Sequence, residues 1–264
     1  MSEFAWAVTT KVGSGTFACV YRVDAGEGFP PLAMKAVSRD AHKAMVRRSS
    51  SRLRVEDEYD ILSTVAHPHI LRVHGTHGSD TCFNIITDFL CGSSLFDAVV
   101  TGGALDVGCF YNLYQSMTGA CSYLHAHDIM HRDIKPENIM SASHNPSPTW
   151  MLLDFGLARR GTKNAMSVVG SPTYMAPEVY FPALRHAPLM VYTEKADMWS
   201  LGVTLYIAWA GSPPFDASLA PVAAREWWQP PWDEPGWFTR QGVAFRVVLT
   251  PHAAVRPRGS SFGL

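Results

Sequence analysis

The chain has 264 residues, 47% of them hydrophobic and 17% charged, with a formal net charge of -1 and an isoelectric point near 6.8. That is enough apolar material for one large domain or two small ones sharing a cleft, and too much for a disordered tail. The near-neutral balance excludes bulk electrostatic attraction to nucleic acid or to an anionic membrane, so neither is an expected partner.

The longest apolar run, near "LGVTLYIAWAG", falls short of the roughly 20 residues that a membrane span needs. The start, "MSEFAWAVTT", has neither a basic segment nor an apolar run, so no signal peptide is expected. Cys19, Cys82, Cys91, Cys109 and Cys121 are scattered without a C-x-x-C pair, which argues against a zinc knuckle or a disulfide framework. It argues for a reducing compartment, the cytoplasm first, with the nucleus left open. The histidines show no ligand spacing, so a metal is expected only in company with a substrate.

In chain order, "FAWAVTTKVGSGTFACVYRVD" and "PLAMKAVS" alternate apolar and polar positions around turns, as half-buried strands do. "SSRLRVEDEYDILSTVA" carries Leu53, Val55, Ile61, Leu62 and Val65 on mostly helical spacing and predicts one helix. "HILRVHGTH" and "CFNIITDFL" predict two more strands. From "SLFDAVV" onward the pattern is helical, with long helices expected over 109–127 and 195–210. A strand-rich half followed by a helical half predicts two lobes, with a seam at "DFLCGSS", residues 88–94. "WWQPPWDEPGWF", residues 227–238, holds four of the eight tryptophans among prolines, so an aromatic-packed loop is expected there in preference to a peptide-docking surface.

Polar residues concentrate at a few points. In "GSGTFACV" the glycines Gly13 and Gly15 allow close approach of backbone to phosphate, although a plain hairpin explains them equally well. Ala18 stands where a dinucleotide fingerprint has its third glycine, and strand rather than helix follows. Lys35 in "LAMKAV" lies in an apolar strand and needs an anionic partner; Glu58 and Glu56 are the candidates. "MHRDIKPENIM" crowds Asp133, Lys135 and Asn138 between core elements, where polar groups must be satisfied or useful. "LLDFGLA" adds Asp154 after an apolar strand, and "GSPTYMAPE" (170–178) and "EKADMWSLGV" (194–203) follow.

In this order the segments resemble the eukaryotic protein kinase family, its serine/threonine branch, nearest to calcium/calmodulin-dependent-type catalytic domains. The likeness runs from Gly13 to Arg256. It implies an α+β, bilobal fold making one catalytic domain over 1–264, with the small lobe about 1–90 and the large lobe about 91–264, ending short of the final helix. It implies ATP-dependent transfer of the γ-phosphate to a serine or threonine of a protein substrate, with ATP and Mg²⁺ as cofactors. A pseudokinase, a nucleotide-binding scaffold without turnover, is the alternative, and it predicts damage at Lys35, Asp133, Asn138 or Asp154, all of which are intact.

By the same resemblance Lys35 holds the α- and β-phosphates and Glu58 holds Lys35. Asp154 and Asn138 hold the metal, Asp133 orients the attacking hydroxyl and takes its proton, and Lys135 neutralises the γ-phosphate. Val12, Gly13, Ser14 and Gly15 cover the nucleotide, and Val20, Ala33 and Met140 sandwich the adenine. Backbone at Asp88 and Leu90 meets its edge, with Thr87 gating the space behind. Leu62, Val73, His131 and Phe155 stack in one column, Asp197 braces the Asp133 loop, and Glu178 pairs with Arg256.

Ser94 stands where relatives carry a carboxylate that reads basic substrates, and Ile207 at a second such position, so a substrate preference that is not strongly basic is expected. Ser167 stands where the family's activating phosphate sits, with Arg132, Arg159 and Arg54 to receive it, and an upstream kinase is then a candidate partner. Repulsion among these arginines predicts a loosely held segment before phosphorylation. Thr162 and Thr173 are lesser acceptors, and Ser171 is expected to bond Asp133 and Lys135. Ser50 in "RRSSSR" is a further candidate acceptor, second to a plain solvated loop.

Overall fold

Strands β1 (Ala7–Ser14), β2 (Ala18–Asp24), β3 (Leu32–Ser38), β4 (Val73–Gly78) and β5 (Cys82–Asp88) form one antiparallel sheet in the order β1-β2-β3-β5-β4. The computed structural model describes residues 7–14, 18–24, 26–49, 54–144, 148–161, 165–184 and 191–214. Gly15, Ser50, Leu53, Thr162, the 227–238 segment and Arg256 lie outside them.

Register decides what this sheet presents. Lys35 pairs with Val20 on one side and Ile85 on the other, and Ala33 pairs with Thr87. Because side chains alternate along a strand, one face carries Val20, Ala33, Lys35, Ile85 and Thr87 together. The opposite face buries Val23, Leu32 and Ile86 in a small core of its own.

The predicted single helix between β3 and β4 is a correction. Two helices occur there, α1 (Arg39–Ser49) and the short α2 (Asp57–Leu62). Ser38 Oγ accepts from Ala41 N at 3.3 Å, which starts α1 directly after the strand. The Asp57 carboxylate accepts from Arg54 N at 2.7 Å, so the chain turns before α2 instead of entering it as helix. At the other end Thr64 Oγ1 donates to Ile61 O at 2.7 Å, capping a helical carbonyl as the chain approaches Pro68.

After the sheet come α3 (Leu95–Gly102) and α4 (Val107–Ala126), then β6 (Ile129–Met130), β7 (Ile139–Ser141), β8 (Trp150–Leu152) and β9 (Arg159–Arg160). β6 pairs with β9 and β7 with β8. Helices α5 (Pro177–Leu184) and α6 (Lys195–Ala210) follow, the latter matching the predicted range. The sheet-rich N-terminal part and helical C-terminal part are the expected α+β arrangement. On α4 the buried Phe110, Leu113, Met117, Ala120, Cys121 and Leu124 recur at helical spacing, whereas α6 is buried nearly all round. Together with α2, Ile70 and Phe155 these helices share one core.

The link between α2 and β4 ties the two parts. Tyr123 Oη on α4 accepts from Ala66 N at 3.0 Å. Leu71 N donates to Leu152 O at 3.0 Å and Leu152 N to His69 O at 2.9 Å. The helix bearing Glu58 is thereby registered against the strand that leads to Asp154.

Candidate active site

The sheet face bearing Lys35 roofs a cavity of about 810 Å³. Val12, Gly13, Ser14, Val20, Ala33, Lys35, Glu58, Thr87, Asp88, Leu90, Asn138, Met140 and Asp154 all line it. A second cavity of about 570 Å³ adjoins it through Lys35, Glu58 and Asp154, and Asp133 and Lys135 line that one. The volume suits a nucleotide-sized ligand. Leu71, Ile85, Phe89, Cys91 and Gly92 also line the larger cavity and were not foreseen. Gly92 had a legible signal, a glycine between strand and helix. A Cβ there would collide with the Ser141 hydroxyl and main chain.

Lys35 Nζ donates to both carboxylate oxygens of Glu58 at 2.8 Å and to Asp154 Oδ1 at 2.6 Å. Glu56 is taken by Arg39 at 2.9 Å, so Glu58 is the partner of Lys35. Burial favours a neutral Lys35, but Glu58 and Asp154 outweigh it and raise its pKa, keeping the ammonium charged. Burial pushes Glu58 up, opposed by Lys35 and assisted by the negative charge of Asp154. Burial would raise Asp154 too, yet Lys35 and the Gly156 N–H hold it down at about 2. Asp154 is therefore ionised at any physiological pH.

The segment 131–138 answers why so many polar groups share one loop. Asp197, 1% exposed on α6, accepts from His131 N at 2.9 Å, Arg132 N at 2.8 Å and His125 Nε2 at 3.0 Å. Burial alone would raise its pKa; the His125 contact and the Arg132 N–H bring it below the usual aspartate range. This anchor holds Arg132 in the left-handed region, φ 68°, which non-glycine residues adopt only when their surroundings impose it. The chain then delivers Asp133 into a closed set of bonds. Asn138 Nδ2 and Lys135 Nζ reach its Oδ2 at 3.0 and 2.8 Å. Ser171 N and Oγ donate to its Oδ1 at 3.0 and 2.9 Å, and Lys135 Nζ donates to Ser171 Oγ at 2.7 Å. The His131 ring meets Phe155 edge-on at 4.8 Å, and Phe155, Leu62 and Val73 pack in one cluster.

Around Ser167 two expectations change. Arg54 does not lie one helical turn before Glu58 but in the turn preceding α2, bonded to Asp57 and Asp60 at 2.8 and 2.7 Å. Its charge is spent on these acids, so it does not repel the other arginines. Nor does the unmodified Ser167 hang loose, because Arg132 Nη1 donates to its Oγ at 2.7 Å while Nε holds Leu157 O at 2.7 Å. Ser94 caps α3 by accepting from Asp97 N at 3.0 Å, and Asp97 and Glu137 bring two carboxylates to the cavity.

No described helix is long and apolar enough to cross a membrane. The protein kinase domain family matches residues 6–226. The chain is 35% identical over 222 residues to the probable serine/threonine-protein kinase fhkD of Dictyostelium discoideum, covering 80% of this chain and 29% of that protein. It is 33% identical over 216 residues to the serine/threonine-protein kinase fused of Drosophila melanogaster, covering 81% and 25%. With calcium/calmodulin-dependent protein kinase type 1B of Rattus norvegicus it shares 31% over 237 residues, covering 87% and 65%. The chain thus spans less than two thirds of each of these relatives. The match reaches from before β1 to beyond α6, and the relatives are serine/threonine kinases, so the chain belongs to the protein kinase domain family, on its serine/threonine side.

Proposed function

We propose that this chain transfers the γ-phosphate of ATP to a serine or threonine hydroxyl of a protein substrate. The observation that carries the reading is the convergence of Lys35, Asp154, Asp133 and Lys135 on two joined cavities, one of nucleotide size. In this reading the acceptor oxygen bonds the γ-phosphorus, the bond to the bridging oxygen breaks, ADP leaves, and the hydroxyl proton passes to Asp133. Asp133 aims the hydroxyl, Lys135 offsets charge on the phosphoryl oxygens, and Lys35, braced by Glu58, places the α- and β-phosphates.

The donor set fits Mg²⁺. Asn138 spends its Nδ2 on Asp133, leaving its amide oxygen as a donor, and Asp154 is an ionised carboxylate with Lys35 on one oxygen only. Two hard oxygens rather than a closed cage suit an ion that keeps waters and phosphate oxygens as its other ligands. Bound there, Mg²⁺ would neutralise developing phosphate charge. Val20, Ala33 and Met140 would take the adenine, with Asp88 and Leu90 at its edge, Thr87 behind it, and Val12 to Gly15 over the phosphates.

Ser167 is the proposed regulatory phosphorylation site, and an upstream kinase the partner that would modify it. Its hydroxyl already lies on Arg132, next to the residue that carries the chemistry, and a phosphate would turn that contact into a charge-assisted one.

The test is Mg²⁺-dependent transfer from labelled ATP to a protein acceptor by the purified chain. Asp133→Ala is expected to lower kcat by about 10²–10⁴-fold with little change in ATP affinity, as removal of a positioned base does. Near-normal turnover in that variant would sink the assignment.

A further inference from the structure

The segment 165–171 carries Ser167 and ends on Ser171, which holds Asp133, yet no phosphate is needed to explain its position. Tyr192, 4% exposed and just ahead of α6, faces it. Ala165 and Tyr192 exchange both main-chain bonds, Ala165 N to Tyr192 O at 3.1 Å and Tyr192 N to Ala165 O at 2.9 Å. Two residues on, the Tyr192 hydroxyl donates to Ser167 O at 2.7 Å, and Arg132 Nη1 approaches that hydroxyl at 3.5 Å. The phenol ring packs with Met130, Met175 and Trp199, so it cannot follow the segment if the segment leaves.

We infer that Tyr192 is a positioning residue that holds the Ser167 segment in its working place without phosphorylation. It acts by fixing the Ser167 carbonyl, which leaves the Ser167 side chain free to meet Arg132. The inference rests on the proposed kinase reading and deepens it.

A rigid, buried ring bonded to a main-chain carbonyl sets the path of the backbone. The Arg132 contact to the serine hydroxyl sets only a side chain. Both act on Asp133 at a distance, through Ser171 Oγ and N. If the segment shifts, Ser171 leaves Asp133 and Lys135, and the acceptor hydroxyl loses its aimed base. The two tethers therefore rank differently from what a pure phosphate switch requires. In the unmodified protein the hydroxyl of Tyr192 matters more than the hydroxyl of Ser167. A phosphate on Ser167, gripped by Arg132, would replace the lost tether.

Amide hydrogen exchange and peptide kinetics on the full chain test this. The samples are phosphatase-treated wild type, Tyr192→Phe and Ser167→Ala, and Tyr192→Phe with phosphoserine installed at 167. Tyr192→Phe keeps the ring in its core and the main-chain bridge. Losing the bond to Ser167 O and the longer one from Arg132, it is expected to speed exchange at the Ala165 and Ser171 amides about fivefold or more. Peptide kcat/KM should fall about tenfold with the KM for ATP unchanged. Ser167→Ala should lose less, and phosphoserine should restore Tyr192→Phe, a rescue that a merely structural defect would not show. Wild-type exchange at both amides in Tyr192→Phe overturns the inference, as does a larger kinetic loss in Ser167→Ala. If exchange quickens while neither wild type nor any variant transfers phosphate, the tether stands and the kinase reading fails.

Discussion

Two segments face each other across the cleft and are built in opposite ways. The β1–β2 hairpin above offers backbone and little else; Val12 is 49% exposed, and among the described residues its side-chain hydrogen bonds stay within the hairpin. The 131–138 loop below is a largely buried polar network in which Arg132, Asp133 and Lys135 each have a partner on the 165–171 segment, while Glu137 stays exposed. The difference separates two tasks. In the proposed function, main-chain N–H groups of the strand pair would cover a flexible polyanion, and a carboxylate held from several sides would aim a proton.

Substitutions on either side can break or sharpen that comparison. The largest effect is expected at the junction, Lys35. Lys35→Met keeps the apolar stem but leaves Glu58 and Asp154 facing each other without a cation, so activity should fall by about 10²-fold or more with the fold retained. Unlike Asp133→Ala it should also raise the KM for ATP. Steady-state kinetics with circular dichroism decide this, and an active Lys35→Met would mean that another cation holds the phosphates.

Next comes the anchor of the lower loop. Asp197→Ala strips the acceptor from two buried N–H groups and His125, and should cost about 3–5 kcal/mol in chemical denaturation. Because its folded pKa lies below its unfolded one, Asp197 contributes stability that is complete above about pH 4 and is lost as pH falls through the folded value. The acid side of the melting curve against pH should therefore flatten in Asp197→Asn. An unchanged acid limb would place the acid sensitivity elsewhere.

The smallest effects contrast two glycines. Gly92→Ala drives a methyl into Ser141 and should cost about 1–3 kcal/mol. At Gly13 an added Cβ meets Val20 only at 3.6 Å, so Gly13→Ala should stay within about 0.5 kcal/mol, as an open hairpin allows. Equal losses at the two sites would mean that the hairpin is as tightly packed as the floor.

Much of the site was legible because its chemistry leaves marks in one dimension. An apolar strand interrupted by Lys35, or six polar residues squeezed between core elements, is costly unless useful, and such costs show in the sequence. What misled the reading was local competition. The stretch before Glu58 has helical spacing, but Asp57 satisfies Arg54 N and turns the chain, and a side chain choosing a nearby backbone donor is invisible to periodicity. The acidic rim was missed for a similar reason, since Asp97 reaches the cavity only because Ser94 starts α3 where it does.

By itself, then, the sequence determined the strand-rich part followed by a helical one, and marked Lys35, Asp133, Asn138 and Asp154 as candidates. Each depends on spacing or residue type within a short window, which one-dimensional pattern carries. Only the tertiary structure decided between Glu58 and Glu56, spent Arg54 on Asp57 and Asp60, and set Tyr192 against Ser167. Two of those choices join residues far apart in the chain, 23 positions for Lys35 and Glu58 and 25 for Tyr192 and Ser167, whereas Arg54 picks among near neighbours that compete for it. Hydrogen bonds are short-ranged and directional, so they are settled only after packing has brought their groups within reach.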